Sequence, residues 1–140
     1  MSAGLPEAGL VACAGRLAGA LPSGAVVWLE GPLGAGKTTF ARALLEARGA
    51  RQPATSPTFN LAHHHDGPRG SAYHVDLYRL NDPAEAAELD WDGMQRGDLL
   101  LVEWPERGGA WVPPPTMRVS LGYADDPDER TLRLEPEAFR

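Results

Sequence analysis

Residues 31 to 38 read Gly-Pro-Leu-Gly-Ala-Gly-Lys-Thr and match GxxxxGK[ST], the pattern of a loop that binds nucleotide phosphates. Lys37 is the only lysine in the chain, and the other twelve basic residues are all arginine. A planar guanidinium cannot replace a compact ammonium group that reaches between two phosphates. The single lysine therefore marks the position where the sequence needs that chemistry.

The segments on either side of this loop have the patterns that the motif requires. Residues 25 to 30 are a short apolar run, which is typical of a fully buried strand. Apolar residues recur on one helical face from Lys37 to about Arg48, and Gly49 suits a C-cap. Strand, loop and helix thus follow one another in the order of a phosphate-binding fold.

The remaining chain predicts further strands and helices around this unit. The predicted elements are a first helix over 5–21, antiparallel strands on both sides of a turn at 66–70, a short helix from 82 to about 89, a buried strand over 99–102, and a closing hairpin over 117–134. We therefore predict an α/β fold, a single P-loop NTPase-like domain over residues 1–140 with three layers and a mixed central sheet.

Composition narrows the classes of function and the compartment. A formal net charge of -6 opposes unaided binding to nucleic acid or to anionic membranes, because both need a basic surface. Cys13 is the only cysteine and has no partner for an internal disulfide. We see no signal peptide and no run that approaches the roughly 20 apolar residues of a membrane span. We expect a cytoplasmic protein that does not bind membranes.

The Gly-rich loop carries the clearest chemistry. Gly34 and Gly36 allow successive backbone amides to point at one phosphate, and the following helix adds its positive N-terminal end. Lys37 is expected to neutralise the terminal phosphates, and the Thr38 hydroxyl to bind Mg²⁺. The sequence therefore predicts a nucleotide site with a magnesium ion.

Two acids at strand ends are candidates for the same site. Glu103 follows the buried strand over 99–102, where P-loop proteins place an acid beside the metal, and it is expected to bind Mg²⁺ or to orient the attacking water. Asp76 lies on an otherwise apolar strand and needs a partner if it is buried. A metal, or an ion pair with Arg79 or Arg42, would supply one.

Other polar and aromatic residues give weaker signals. Ser56-Pro57-Thr58 is a candidate switch segment that reaches towards the γ-phosphate or the metal. The run His63 to His65 resembles a metal site, but successive strand residues face opposite sides, so the three rings cannot all converge. Trp104 is expected to contact a ligand, and Cys13 to fill core space. We predict that Trp28, Trp91 and Trp111 lie in the core or an interface.

Four motifs together resemble one known family. They cover Gly34 to Phe40, Ser56 to Phe59, His74 to Leu80 and Val102 to Pro105, and they occur in the order and spacing of the TsaE family, formerly called YjeE. The resemblance implies a small P-loop ATPase that acts with the proteins TsaB and TsaD in making threonylcarbamoyladenosine next to the anticodon of tRNA. It implies that the protein hydrolyses ATP on the assembled complex, resets that complex between turnovers, and meets tRNA only through it.

The resemblance also implies roles for individual residues. It implies ATP contacts by Gly34, Ala35, Gly36, Lys37, Thr38 and Thr39, with Trp104 near the nucleotide or a partner surface. It implies Mg²⁺ ligation by Thr38 and Glu103 and a metal or catalytic role for Asp76. With Lys37, these two acids make up the catalytic set that we predict.

Two other functions stay open from the sequence. A small-molecule kinase would share the strand, the Gly-rich loop and Lys37-Thr38, and would consume ATP only with an added acceptor. A nonhydrolysing ATP switch would bind tightly without turnover. No arginine stands out near the loop as a finger for the developing charge. We therefore expect slow hydrolysis by the isolated chain and stimulation by partners.

Overall fold

The structure is a computed structural model, and it describes residues 4–51 and 61–136. Within them the strands are β1 (Ala25–Glu30), β2 (Ala62–Gly67), β3 (Gly70–Asp76), β4 (Leu99–Glu103), β5 (Met117–Tyr123) and β6 (Arg130–Glu135). The helices are α1 (Glu7–Ala20), α2 (Lys37–Ala47) and α3 (Trp91–Gln95), with 3-10 helices at Pro83–Glu88 and Pro105–Trp111. The predicted switch segment Ser56-Pro57-Thr58 lies outside the described residues.

The strands form one mixed sheet in the order β2-β3-β4-β1-β5-β6. The inner strands β3, β4, β1 and β5 are parallel, and β2 and β6 each pair antiparallel with their neighbour. The parallel strands end at one edge of the sheet, where α/β proteins bind their ligands. The predicted α/β fold with a mixed central sheet is confirmed.

Apolar residues that alternate along the strands form a core on each side of the sheet. One core packs against α1 and α2 and contains Phe40, Leu44 and Leu101. The other core contains Leu100 and Val102 of β4. Buried side chains from α3 and from the 3-10 helix Pro83–Glu88 pack against them, and Trp91 is one of these side chains. The predicted three-layer arrangement is confirmed, because adjacent residues of β4 face opposite cores.

The sequence reading missed two short helices. The five-residue α3 begins after Asp90, whose side chain accepts a hydrogen bond from the Gly93 amide. The 3-10 helix Pro105–Trp111 has a kink at Gly109. Neither is long enough to show helical periodicity. Trp111 at its end is 53% exposed, so it is not a core residue.

The described residues also bear on two expectations from composition. Cys13 is partly buried and packs against the α1–α2 core, and burial raises the pKa of its thiol. No helix within residues 4–51 and 61–136 has the length and hydropathy needed to cross a membrane.

Candidate functional site

The Gly-rich loop leaves the end of β1 and leads directly into α2. Gly34 and Gly36 have left-handed φ angles of 74° and 98°, which side chains rarely tolerate, and Gly36 is the N-cap of α2. Ala35 between them is buried in the core below, and Thr39 is partly buried in the first turn of α2. Ala35 therefore anchors the loop in the hydrophobic core. The loop wraps around the N-terminus of α2, and this geometry binds anions.

Lys37 is held inside this loop. Its side chain is buried, and Nζ donates hydrogen bonds to the carbonyl oxygens of Gly31 at 2.5 Å and Pro32 at 2.9 Å. Nζ also lies 4.1 Å from the ring centroid of Trp104. Burial lowers the pKa of Lys37, and the carboxylates of Glu103 and nearby acids oppose that shift. Two backbone carbonyls and the Trp104 ring thus hold the ammonium group at the position where phosphates are expected to bind.

The first turn of α2 meets the end of β4. Thr38 Oγ1 lies 3.2 Å from both carboxylate oxygens of Glu103. Glu103 is 2% exposed, so its carboxylate depends on hydrogen bonds for stabilisation. Thr38 and Glu103, which are 65 positions apart in the sequence, form one polar cluster.

Asp76 ends β3 and lies beside Glu103 in the parallel register. Its Oδ1 accepts a hydrogen bond of 3.0 Å from the Tyr78 amide. Among the described residues, the ion pairs join other groups, so neither Arg42 nor Arg79 pairs with Asp76. Among these residues Asp76 therefore forms no structural ion pair. It lines the same cavity as Glu103.

A cavity of about 1080 Å³ opens beside Thr38 and Glu103. It extends along α2 and the β2–β3 hairpin, and Arg42, Arg51 and Arg79 are among the residues that line it. The sequence pattern marked no arginine near the loop as a group for the developing charge, and the fold shows that these three lie around the cavity beside Thr38. Arg42 lies one helical turn after Thr38 in α2, whereas Arg51 follows α2 and Arg79 follows β3. The fold is therefore needed to bring Arg79 to the cavity.

Trp104 forms an aromatic cluster at the mouth of the loop. It follows Glu103 directly and has a left-handed backbone with φ 58°, which is uncommon for a residue other than glycine. Its ring lies 5.0 Å from the ring of Tyr78, and the Arg107 guanidinium lies 4.8 Å from Tyr78 and 5.4 Å from Trp104. The tryptophan that is predicted to contact a ligand therefore lies against Lys37, and Arg107 is also near its ring.

Sequence reasoning also missed residues that support the loop from the other side. The Tyr123 hydroxyl donates to the carbonyl oxygen of Leu33, and Arg130 Nε donates to that of Gly34 at 3.0 Å. Both come from the β5–β6 hairpin. No local motif marks them, because their role depends on β5 lying next to β1.

The histidines divide between the two faces of the β2–β3 hairpin. His63 and His65 line the cavity, whereas His64 Nε2 lies 2.8 Å from Ser71 Oγ. Among the described residues, no group of three His, Cys, Asp or Glu side chains is arranged to hold a metal ion. The expected alternation of the three rings is observed. His74 contacts Glu103, with Nε2 2.5 Å from Oε2, and sequence reasoning assigned it no role of its own.

Comparisons with known proteins agree on one family. The family model described as threonylcarbamoyl adenosine biosynthesis protein TsaE matches residues 6–132. The chain is 36% identical over 115 residues to the tRNA threonylcarbamoyladenosine biosynthesis protein TsaE of Rickettsia prowazekii, covering 81% of this chain and 79% of that protein. It is 46% identical over 96 residues to the protein of the same name from Streptomyces coelicolor, covering 65% and 64%.

The fold is also similar to a solved structure. The crystal structure of Bacillus subtilis YdiB superposes with a TM-score of 0.71 at 31% sequence identity. The match covers 91% of this chain and 78% of that one.

Proposed function

The chain belongs to the TsaE family, and from this premise we propose that it binds and hydrolyses ATP with Mg²⁺ in support of tRNA threonylcarbamoyladenosine biosynthesis. The observation that carries this proposal is the contact of Thr38 Oγ1 with both carboxylate oxygens of Glu103. A hydroxyl that follows the loop lysine and an acid at the end of a neighbouring strand are the two protein ligands that P-loop enzymes use for Mg²⁺.

The side chains at this point fit a magnesium ion by their chemistry. Mg²⁺ prefers oxygen ligands, and Thr38, Glu103 and Asp76 present a hydroxyl and two carboxylates at one cavity. A bound Mg²⁺ would neutralise charge on the β- and γ-phosphates during transfer. Thr38 and Glu103 would hold the ion, and Asp76 would bind it or orient a water next to it.

The loop supplies the complementary positive charge. The amides from Gly34 to Thr39 and the N-terminus of α2 would bind the phosphates. Lys37 Nζ would exchange its contacts with the Gly31 and Pro32 carbonyls for phosphate oxygens. Glu103 would also orient the attacking water for hydrolysis.

We further propose that turnover depends on partner proteins. TsaB and TsaD are the partners that the family resemblance implies, with tRNA engaged only through their complex. Efficient phosphoryl transfer commonly needs an arginine on the developing charge, worth roughly 10³ to 10⁵ in rate. Arg42 and Arg79 line the cavity, and among the described residues neither forms an ion pair with Glu103 or Asp76. Docking of a partner would move such a group onto the phosphates. ATP hydrolysis would then reset the complex between turnovers, in the cytoplasm.

The test is ATP hydrolysis by the purified chain with Mg²⁺, alone and with its TsaB and TsaD counterparts and tRNA. We expect slow turnover alone and clear stimulation by the complex. Full turnover by the isolated chain, unchanged by partners, would contradict the proposal. Tight ATP binding without hydrolysis in either mixture would indicate a switch, and hydrolysis that requires an added small acceptor would indicate a kinase.

Two variants make this test specific to the site. Lys37→Ala is expected to abolish nucleotide binding, because the only ammonium group at the loop is lost. Glu103→Gln keeps the size of the side chain but removes its charge, so it should spare binding more than hydrolysis. Normal stimulated turnover by Glu103→Gln would show that Glu103 does not have the role given to it here.

A further inference from the structure

Glu103 makes its shortest contact with a histidine outside the phosphate loop. His74 lies on β3, next to β4, and its Nε2 is 2.5 Å from Glu103 Oε2. The two side chains are 13% and 3% exposed, so water competes little for this contact. The distance is below the roughly 2.7–2.9 Å that is typical of an N–H donor and a carboxylate, so the two groups are in direct hydrogen-bond contact.

The chemistry of the pair sets the direction of the hydrogen bond. An ionised carboxylate only accepts hydrogen bonds, so the Nε2–H group of His74 is the donor and Glu103 Oε2 is the acceptor. Among the described residues, the other donor to Glu103 is Thr38 Oγ1, at 3.2 Å from both oxygens. Because Thr38 contacts the two oxygens equally, it does not distinguish them. The contact from His74 selects Oε2.

We propose that His74 is a positioning residue that fixes the rotation of the Glu103 carboxylate and leaves Oε1 directed to the nucleotide site. This inference rests on the proposed function, since it gives Glu103 a metal or a water to bind. If the Thr38 hydroxyl turns to bind Mg²⁺, its hydrogen bond to Glu103 is lost. The hydrogen bond from His74 would then continue to hold Glu103. Hydrogen-bond partners behind a metal-binding side chain typically change metal affinity or activity by about 10- to 100-fold when they are removed.

Neighbouring side chains do not share this role. Asp76 lies two residues beyond His74, and its carboxylate accepts a hydrogen bond from the Tyr78 amide instead. His63 faces His74 across the hairpin and lines the same cavity, but its ring is not among the described hydrogen-bond donors to Glu103. The contact is therefore specific to one histidine of the hairpin.

The test compares His74→Leu with His74→Gln. Leucine removes the donor, whereas the amide of glutamine has an N–H at a reach similar to that of Nε2. The main measurement is a calorimetric titration of Mg²⁺ into the protein at a fixed concentration of ADP. We expect His74→Leu to lower the affinity for Mg²⁺ in the presence of ADP by about 10- to 100-fold. The affinity for ADP without Mg²⁺ should be unchanged. His74→Gln should recover most of the loss.

Partner-stimulated hydrolysis gives a second measurement. His74→Leu is expected to lower kcat more than it raises KM for ATP, because Glu103 acts on the reacting phosphate and the loop binds the rest. The matched control is His64→Leu, in the same hairpin, whose ring contacts Ser71 instead of Glu103. This control should behave like the wild-type chain in both assays, and thermal melts verify that each variant is folded.

A measurement without nucleotide tests the hydrogen bond itself. Nitrogen-15 NMR of the imidazole rings should show the proton of His74 on Nε2, with its resonance shifted downfield by the hydrogen bond to Glu103. This downfield shift should be lost in Glu103→Gln. His74→Leu with wild-type Mg²⁺ dependence and kcat would overturn the inference. Equal impairment of His74→Leu and His74→Gln would also overturn it, because it would indicate a packing role.

These results separate the two proposals. If the wild-type chain shows no stimulated hydrolysis, the proposed ATPase function fails, while the Mg²⁺ titration and the NMR signal still decide whether His74 positions Glu103. If hydrolysis is stimulated but His74→Leu leaves every measurement unchanged, only the inference about His74 fails.

Discussion

Lys37 and Trp104 are in direct contact at the proposed nucleotide site. The ammonium group lies 4.1 Å from the indole centroid and donates to two carbonyl oxygens of its own loop. These contacts partly replace water around a buried charge. The phosphate oxygens of a bound nucleotide would compete for the same ammonium group, so we expect nucleotide binding to change the surroundings of Trp104.

The corresponding prediction concerns tryptophan fluorescence. ATP is expected to change the intrinsic fluorescence of the chain, and Trp104→Phe should lose most of that change. Trp111→Phe is the matched control, because Trp111 is 53% exposed and lies at the end of the 3-10 helix that follows Trp104. An ATP signal that persists in Trp104→Phe but disappears in Trp111→Phe would contradict the assignment.

A second residue-scale prediction concerns the pH dependence of stability. Burial, and then the charges of His74 and His65, lower the pKa of His63 below its ordinary value of 6.5. Between the folded pKa and 6.5 the unfolded chain binds more protons, so protonation favours unfolding. This contribution to stability is present above 6.5 and is lost as the pH falls through that window.

The prediction is tested by melting the chain between about pH 8 and about pH 5. His63→Gln should lose less stability than the wild type on acidification, because its side chain does not titrate. His64→Gln is the control, since its ring is on the exposed face and binds Ser71. If all three proteins show the same pH dependence, His63 is not the group responsible.

At the scale of elements, two glycines have opposite environments. Gly15 is exposed in the middle of α1, and a Cβ added there would meet no atom within 4 Å. Gly31 leaves β1 for the phosphate loop, and a Cβ there would overlap the carbonyl oxygen of Leu121 in β5. Glycine costs stability in a helix but is required where two backbones touch.

Alanine substitutions should therefore change stability in opposite directions. Gly15→Ala is expected to increase the free energy of unfolding by about 0.5–1 kcal/mol, because alanine loses less backbone entropy in a helix. Gly31→Ala should decrease it by about 1–3 kcal/mol, because β5 must shift to admit the methyl group. Urea denaturation of both variants measures the difference, and destabilisation by Gly15→Ala would show that α1 has a tighter environment than described.

At the scale of the whole molecule, one buried ion pair joins distant segments. Arg48, after α2, donates two hydrogen bonds of 3.0 Å to Asp98, before β4. It also donates to the carbonyl oxygens of Ala18, Leu21 and Pro22 at the end of α1. The guanidinium therefore connects both helices of one layer to the central sheet.

Removal of one partner should be costly. Arg48→Met is expected to lower the free energy of unfolding by about 3–5 kcal/mol, because it leaves the Asp98 carboxylate buried and unpaired. Arg48→Met combined with Asp98→Leu should recover part of that loss, because no buried charge remains. Chemical denaturation in a double-mutant cycle measures the coupling. Strictly additive losses would indicate that the two residues act independently.

Much of the fold follows from local sequence patterns. The apolar run over 25–30 matches β1 residue for residue, and Gly49 takes its left-handed place after α2. The short helix predicted from residue 82 is present as the 3-10 helix Pro83–Glu88, and the Asp82 side chain caps it by accepting a hydrogen bond from the Ala84 amide. These features depend on periodicity and backbone preferences that a few adjacent residues determine.

The sequence by itself determined the Gly-rich loop, the strand and the helix on either side of it, and the two acids expected near it. Only the tertiary structure decided that His74 binds Glu103, that Arg130 and Tyr123 support the loop, and that Arg79 lines the cavity beside Thr38. The physical reason is the strand order. Sheet pairing places β3 beside β4 and β5 beside β1, and these contacts join residues that no local pattern relates.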